Sequence, residues 1–439
     1  MAPCRMDRQA HAPGVARRHL LAAAALSPAA HALTAPPGAA APRLTADFEP
    51  QAAVWLGYDA GHETFTRDLA TALQPHVRLK MLVRGDDDEA RARAVLAGGE
   101  VDLSQVQFVH DPRALFFVRD AAVFGRDDLG RLAVVDFRWT HYGWRSWCRQ
   151  RHPQDRAAAA DCALRDHDTS DTTDRRLADT LGAAVYRSPL AMEGGGVEVN
   201  GQGLLIANRP LWISRNPELS PAQIEAALLR LPGIRKVLWL DAGLAQDPLH
   251  RATVTGRHVG WGTGGHTDEF VRFADARTVL LAWPDEAEAA VHPVAQINLR
   301  RMRRNLALLQ QATDAAGRPL RVLKLPLPRV VQRRVFLSAA ADGSLSHEWS
   351  ADMFPPHEGR RQGDWVWQLA AASSLNFVVA NGVVLVPDYR AHGTPGRQHD
   401  AMMAVLRQAF AGRELQLVDA IGANWVGGGA HCATLNEPA

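Results

Sequence analysis

The chain has 439 residues, 47% of them hydrophobic and 22% charged, which is enough to bury a sizeable core and excludes general disorder. Lys and Arg number 49 against 47 Asp and Glu, a net charge of +2 that excludes the strongly basic class of nucleic-acid-binding proteins. No apolar, charge-free run approaches the roughly 18–20 residues of a membrane helix, so no membrane span is expected.

Residues 1–32 read as a targeting segment. Arg5, Arg8, Arg17 and Arg18 stand against Asp7, leaving the rest of the chain at −1. A short apolar run, Leu20 to Leu26, follows, and then Ala30-His31-Ala32, an Ala-x-Ala cleavage pattern. The adjacent arginines resemble a twin-arginine leader, used in bacteria to export folded proteins, so a periplasmic or secreted location is expected. Residues 33–44, with Pro36, Pro37 and Pro42, read as a Pro/Ala linker, and 45–439 as one α/β domain.

Beyond the linker, strand and helix signals alternate. Strands are expected at Val54–Gly57, Leu79–Val83, Phe116–Phe124, Leu132–Phe137, Gly196–Val199 and Leu204–Ala207, with helices at Thr64–Leu73, Glu89–Ala97 and Asp174–Leu181. Ser220-Pro221 marks the start of a helix reaching Leu231, and two more are expected over His292–Ala316 and Asp400–Phe410. Further strands are expected at Lys236–Leu240, Thr278–Ala282, Leu320–Leu325, Asn376–Val379, Val383–Val386 and Leu415–Asp419, with Asn381-Gly382 as a hairpin turn. Trp139, Tyr142, Trp144 and Trp147 read as an aromatic cluster, for packing or else as a substrate wall, and the arginines at 300, 301, 303 and 304 as a solvated helix face rather than an anion site.

Three glycine-rich turns look alike: Met192–Val197, Gly264–Glu269 and Gly427–Cys432. Their spacing is consistent with β/α units repeated around an axis. Each sets an acid, an imidazole or a thiol beside glycines that allow close backbone approach. Of the four cysteines, Cys4 leaves with the leader. Cys148 and Cys162 are close enough in sequence to form a disulfide, which leaves Cys432 over; three free thiols is the other reading. Cys432 can attack carbon as a thiolate, or serve as a buried packing residue. His266 and Asp268, one residue apart, would share a strand face and suit acid/base work, or else a solvated turn. A metal centre lacks further ligands at a recognisable spacing. Arg119 and Asp120 are charges in an apolar strand signal and need partners. Either they pair structurally or Asp120 faces a cationic ligand; in the second case Asp120, Glu193 and Asp268 would be three carboxylates beside a thiol. Such a thiol is poorly activated unless the substrate brings positive charge, as a planar guanidinium does.

These motifs, in order, resemble the agmatine deiminase family, which includes the bacterial peptidylarginine deiminase type. The likeness is carried by Phe48-Glu49-Pro50, Val118-Arg119-Asp120, Arg215–Ser220, Glu193-Gly194-Gly195, Gly265–Asp268, Asn376-Phe377, Asn381–Pro387 and Gly427–Thr434. It spans Asp47 to Thr434. Departures are Ala121-Ala122, an insertion near 147–171 and the basic stretch Pro328–Arg334. The resemblance implies a five-bladed pseudo-symmetric α/β propeller (the pentein fold) forming a single catalytic domain. It also implies deimination of agmatine or a related arginine derivative to a ureido product and ammonia, without metal or cofactor. Cys432 would be nucleophile, His266 the acid and base, and Glu193 its hydrogen-bonding partner. Asp120, Asp268 and Arg119 would bind the substrate, a small cationic guanidino compound or an arginine-containing peptide. Peptidylarginine deimination, amidino transfer to an amine and non-catalytic guanidine binding remain open as alternatives, as does assembly into a homo-oligomer.

Overall fold

Five sheets repeat one pairing: a short strand antiparallel to a buried middle strand, which is joined through a helical crossover to a parallel third strand. In chain order of the middle strands, the first sheet pairs Thr434–Pro438 with Gln51–Gly57 and then Arg78–Val83, extended by Val106–His110. The second pairs Val123–Arg126 with Leu132–Arg138 and then Ala184–Ala191, and Arg43–Leu44 adds to its edge. Glu198–Val199, Leu204–Asn208 and Lys236–Leu240 form the third. The fourth is Val271–Phe273, Thr278–Trp283 and Arg321–Pro326. Val378–Ala380, Val383–Pro387 and Glu414–Val418 make the fifth. This is a computed structural model describing residues 41–165, 172–339 and 349–439; the leader and most of the linker lie outside the described residues. Within them the fold is mixed α/β, and no helix is long and apolar enough to cross a membrane.

Local sequence explains the elements. The middle strands Leu204–Asn208 and Val383–Pro387 are buried throughout, as continuous apolar runs covered on both faces should be. Ser220 and Gln223 complete a capping box ahead of Pro221–Leu228. Asn381-Gly382 turns the fifth sheet's hairpin, with Gly382 at φ +78°. The last strand of the chain pairs with the first long strand, Trp55 opposite Leu435, so the two ends of the domain share one sheet.

The structure corrects several expectations. Phe116–Phe124 is not one strand: Val118–Ala121 is a 3-10 turn, and only Val123–Arg126 pairs. The Arg119 amide leaves the ladder to bond the Cys432 carbonyl at 3.0 Å. The helix expected to reach Ala316 spans Pro293–Gln311, because the Asp314 carboxylate captures the amides of Ala316 and Arg318 in a turn. A sixth sheet, with order Leu249–Thr255, His258–Thr263, Trp365–Leu369 and Gln332–Phe336, gave no clear strand signal. The basic stretch feeds its edge strand, where arginines lie on rings: Arg333 sits 4.4 Å from the Trp425 centroid and Arg334 5.5 Å from that of Phe336. In the insertion, the helices Trp144–Arg151 and Arg156–Ala163 are joined by a Cys148–Cys162 disulfide, and Cys432 is free. The remainder of that insertion, 166–171, lies outside the described residues.

Candidate active site

Five turns, each within a few residues of the short first strand of one sheet, bring the functional groups together. Cys432 precedes Thr434–Pro438, Asp120 precedes Val123–Arg126, and Glu193 precedes Glu198–Val199. His266 and Asp268 precede Val271–Phe273, and Asn376 precedes Val378–Ala380. His266 and Asp268 do not share a strand face; Thr267–Glu269 is a 3-10 turn that delivers both inward. Every one of these side chains is buried, the most exposed being Asp120 at 6%.

The contacts form one continuous set. Cys432 Sγ lies 3.5 Å from Asp268 Oδ2 and 3.2 Å from Asn376 Nδ2, which also donates to Glu269 Oε1 at 3.0 Å. His266 Nε2 meets Glu193 Oε2 at 3.1 Å, and its Nδ1 faces Asp120 Oδ1 at 3.7 Å, an ion-pair distance rather than a hydrogen bond. Gly195 stands where these groups converge. Its amide donates to Asp120 Oδ1 at 3.0 Å, and a Cβ there would meet His266 Nδ1 at 2.5 Å and Asp268 Oδ2 at 3.0 Å. Only glycine fits. Asp247 shapes the histidine loop by accepting the amides of Thr263, Gly265 (2.9 Å) and His266 (3.0 Å).

Charge is arranged around that set. Burial alone would raise Glu193, but the Arg215 guanidinium, 2.8 Å from its Oε1, and the His266 bond bring it down to about 2. Burial disfavours the His266 imidazolium, yet Asp120 and Glu193 raise it to about 9, so the ring is charged at neutral pH. Asp120 is pushed up to about 6 by burial, with Asp268 and Glu193 adding repulsion against the pull of His266. Burial, then Asp268, Glu269 and Asp120, lift the Cys432 thiol well above its ordinary value. Cys432 therefore rests as a protonated thiol in an acidic surround.

Among the buried side-chain atoms without a hydrogen-bond partner in the described residues are His266 Nδ1, Asp268 Oδ1 and Glu269 Oε2. Asp268 Oδ1, a free acceptor beside a thiol, suits a ligand with N–H donors and a positive charge, while burial, Asp268 and Asp247 push Glu269 well above the usual carboxylate range. Asp268, Glu269 and Cys432 also have ligand atoms within 4.8 Å of one another, close enough to surround a metal ion. The donor amide of Asn376, which bonds both Glu269 and Cys432, fits such a cation poorly because it points protons at the ligand atoms.

Arg119 is not part of this set. Its guanidinium bonds Asp47 at 3.1 Å and the Asn436 side chain, so its assignment to substrate binding gives way to a supporting one. Sequence reasoning missed the residues reached over long separations. Arg272 also bonds Asp47 (2.9 Å), and Asp47 meets His431 Nε2 at 2.7 Å while His431 Nδ1 meets Asp268 at 2.8 Å. Burial, with Arg119 and Arg272, works against a charged His431. Its bonds to Asp268 and Asp47 pull the other way without restoring the ordinary value, so His431 sits below it. Asp268 is held below the usual carboxylate range against burial, chiefly by its His431 bond. Tyr142 donates to Asp120 Oδ2 at 2.9 Å. His431 and Asn376 were inside recognised motifs and Tyr142 inside the aromatic cluster; Asp47 had no local signal.

The fold and site define a mixed α/β protein with a buried cysteine, a charged histidine and three carboxylates gathered from separate sheets. The chain belongs to the Porphyromonas-type peptidyl-arginine deiminase family, whose profile matches residues 43–438. It is 28% identical over 405 residues to the agmatine deiminase of Stutzerimonas stutzeri strain A1501, covering 90% of this chain and 95% of that protein. Two solved structures share the fold. Agmatine deiminase of Enterococcus faecalis, captured catalysing its reaction, superimposes with a TM-score of 0.66 at 23% identity over 91% of this chain and 96% of that one. A cysteine-to-serine variant of C. jejuni agmatine deiminase with substrate bound gives 0.61 at 16% identity, over 90% and 96%.

Proposed function

We propose that this protein hydrolyses a carbon–nitrogen bond of a guanidinium group, converting agmatine or a related arginine derivative to a ureido product and ammonia. The observation that carries this reading is the Cys432 thiol 3.5 Å from Asp268 within the same buried cluster as His266, Asp120 and Glu193. In a site this acidic, a thiolate is disfavoured until a cation arrives. A guanidinium lying between Asp120 and Asp268 offsets their charge and so activates the sulfur it is about to meet.

The steps balance. Cys432 Sγ bonds the guanidinium carbon and a carbon–nitrogen bond breaks as the charged His266 gives its proton to the departing ammonia, which also takes up the thiol proton and leaves as ammonium; a cationic thiouronium and a neutral His266 remain. Water then adds with His266 as base. The carbon–sulfur bond breaks, the thiol reforms, and the remaining proton stays on His266, restoring its charge. Glu193, anchored by Arg215, keeps His266 charged and oriented for the first transfer.

The repeated pairing of the five sheets supports a five-bladed α/β propeller with these turns at its axis. The arginine pair and Ala-x-Ala of residues 1–32, together with the Cys148–Cys162 disulfide, support export to a periplasmic or external location. That export, and the family the profile describes, favour peptidyl arginine as a second substrate reading.

The test is ammonia and ureido product from agmatine, free arginine and an arginine-containing peptide, with wild type and Cys432→Ala. Product from at least one of the three in wild type and none in the folded variant supports the proposal. Equal product from both sinks it. A new guanidine formed only when an amine is added marks amidino transfer, and binding without product marks a guanidine-binding protein.

A further inference from the structure

The loop Trp139–Trp147 enters from the long crossover of the second sheet and lies against the reacting groups. Tyr142 Oη donates to Asp120 Oδ2 at 2.9 Å, and its ring centroid lies 6.1 Å from that of His266. The next residue, Gly143, presses on Arg215: a Cβ there would come within 2.8 Å of Nη1. Two successive non-glycine residues, His141 (φ +47°) and Tyr142 (φ +53°), hold the left-handed region, with Gly143 at +75°. Side chains rarely adopt that conformation, and it persists only where the surroundings enforce it.

The enforcing contacts are visible. His250 Nε2 bonds the His141 carbonyl at 3.0 Å, and the His141 ring stacks on Trp144 at 5.5 Å. Trp144 opens the helix Trp144–Arg151, and its Nε1 donates to the Cys162 carbonyl of Arg156–Ala163 at 3.1 Å. The Cys148–Cys162 disulfide ties those two helices together. Both cysteines are buried with Trp147 against Leu249.

We propose that Tyr142 is a positioning residue of the deimination site, orienting the Asp120 carboxylate toward the guanidinium, and that the Cys148–Cys162 disulfide holds it in place, making the oxidised chain the competent form. This rests on the deiminase reading above. Asp120 has two oxygens and two fixed donors: Oδ1 takes the Gly195 amide, and Oδ2 takes the phenol. A second lone pair on each is left for the substrate. The charged groups facing Asp120 are His266, Asp268 and Glu193. Against the repulsion of the two carboxylates, a buried hydroxyl donor favours the ionised clamp.

The test compares wild type, Tyr142→Phe and the double variant Cys148→Ser with Cys162→Ser, each checked by circular dichroism and thermal melting. Wild type and Tyr142→Phe are also measured after reduction. Dithiothreitol supplies two electrons and two protons to the disulfide, giving two thiols and the cyclic form of the reagent, and is then removed. Tyr142→Phe is expected to lower kcat/KM about tenfold, the size of one hydrogen bond to a charged group, and to move the acid limb of the pH profile upward. Reduction should cost wild type a similar factor but Tyr142→Phe less than about twofold, because its hydroxyl is already gone. If the double variant fails to fold, the reduction arm decides.

Wild-type kcat/KM and acid limb in Tyr142→Phe overturn the proposal. So does full activity of reduced wild type, or losses that simply multiply. Labelling of Cys432 by 2-chloroacetamidine against neutral iodoacetamide separates this proposal from the function beneath it. If no guanidine is turned over, a Tyr142→Phe variant that loses rate with the amidine alone still supports the positioning role, whereas equal loss or no loss with both reagents refutes it.

Discussion

The centre of the molecule and the sixth sheet treat arginines in opposite ways. At the centre, cations meet carboxylates: Arg215 grips Glu193 with Nε at 2.8 and 2.9 Å from its two oxygens, and Arg119 and Arg272 share Asp47. In the sixth sheet they lie on rings: Arg257 is 4.5 Å from the Trp365 centroid and Arg251 is 3.9 Å from that of Trp261. Paired charge at the centre sets the ionisation of neighbouring groups, His266 above all. Stacked charge in the flanking sheet covers apolar surface and shifts little else. The same residue type therefore serves chemistry in one place and packing in the other.

The sharpest way to break that contrast is to remove one arginine from each region. Arg215→Met leaves Glu193 buried beside His266 without its counter-ion. It is expected to cost about 3–5 kcal/mol in chemical denaturation and to abolish most deiminase turnover. Arg257→Met should cost about 0.5–1 kcal/mol and leave turnover unchanged. Equal losses in the two variants would erase the distinction.

A smaller effect is expected from His431→Asn, which removes the link between Asp47 and Asp268. Asp268 should then titrate higher, so the acid limb of kcat/KM rises in pH while the alkaline limb, set by His266, stays in place. An unchanged profile would make His431 a packing residue.

Smaller again is the pH dependence of stability. His266 is raised from an ordinary 6.5 to about 9, so its contribution is fully present below pH 6.5 and is lost as pH rises through 9. Glu193 is lowered from 4.5 to about 2, so its contribution is present above pH 4.5 and is lost as pH falls through 2. Denaturation midpoints of wild type against His266→Gln should converge at high pH. Parallel curves would mean the imidazolium is not stabilised by its carboxylates.

The sequence made the buried polar cluster legible because glycine-rich turns flag close backbone approach. Glu193, His266, Asp268 and Cys432 all stand in such turns, and the structure gathers them. The alternation of strands and helices was equally readable, since the middle strands are apolar runs bounded by turn residues. What stayed hidden depends on contacts that spacing does not encode. Asp47 and His431 are 384 positions apart, and Tyr142 reaches Asp120 only because a disulfide-tied helix pair supports a left-handed loop. Arg119 was misplaced for a related reason. Adjacent residues in a 3-10 turn diverge, so Asp120 faces His266 while its neighbour turns to Asp47. The sixth sheet escaped notice because charged residues interrupt its alternation, with exposed arginines such as Arg257 and Arg333 lying over rings.

The most direct measurement is the mass of the peptide containing Cys432 after acid quench during steady turnover of a guanidino substrate. The account expects that peptide to carry the substrate less one ammonia, with the adduct gone in Cys432→Ala and accumulating when His266 is replaced by Gln after the first transfer is allowed to proceed slowly. An unmodified Cys432 peptide throughout turnover, together with undiminished ammonia release from folded Cys432→Ala, would contradict it.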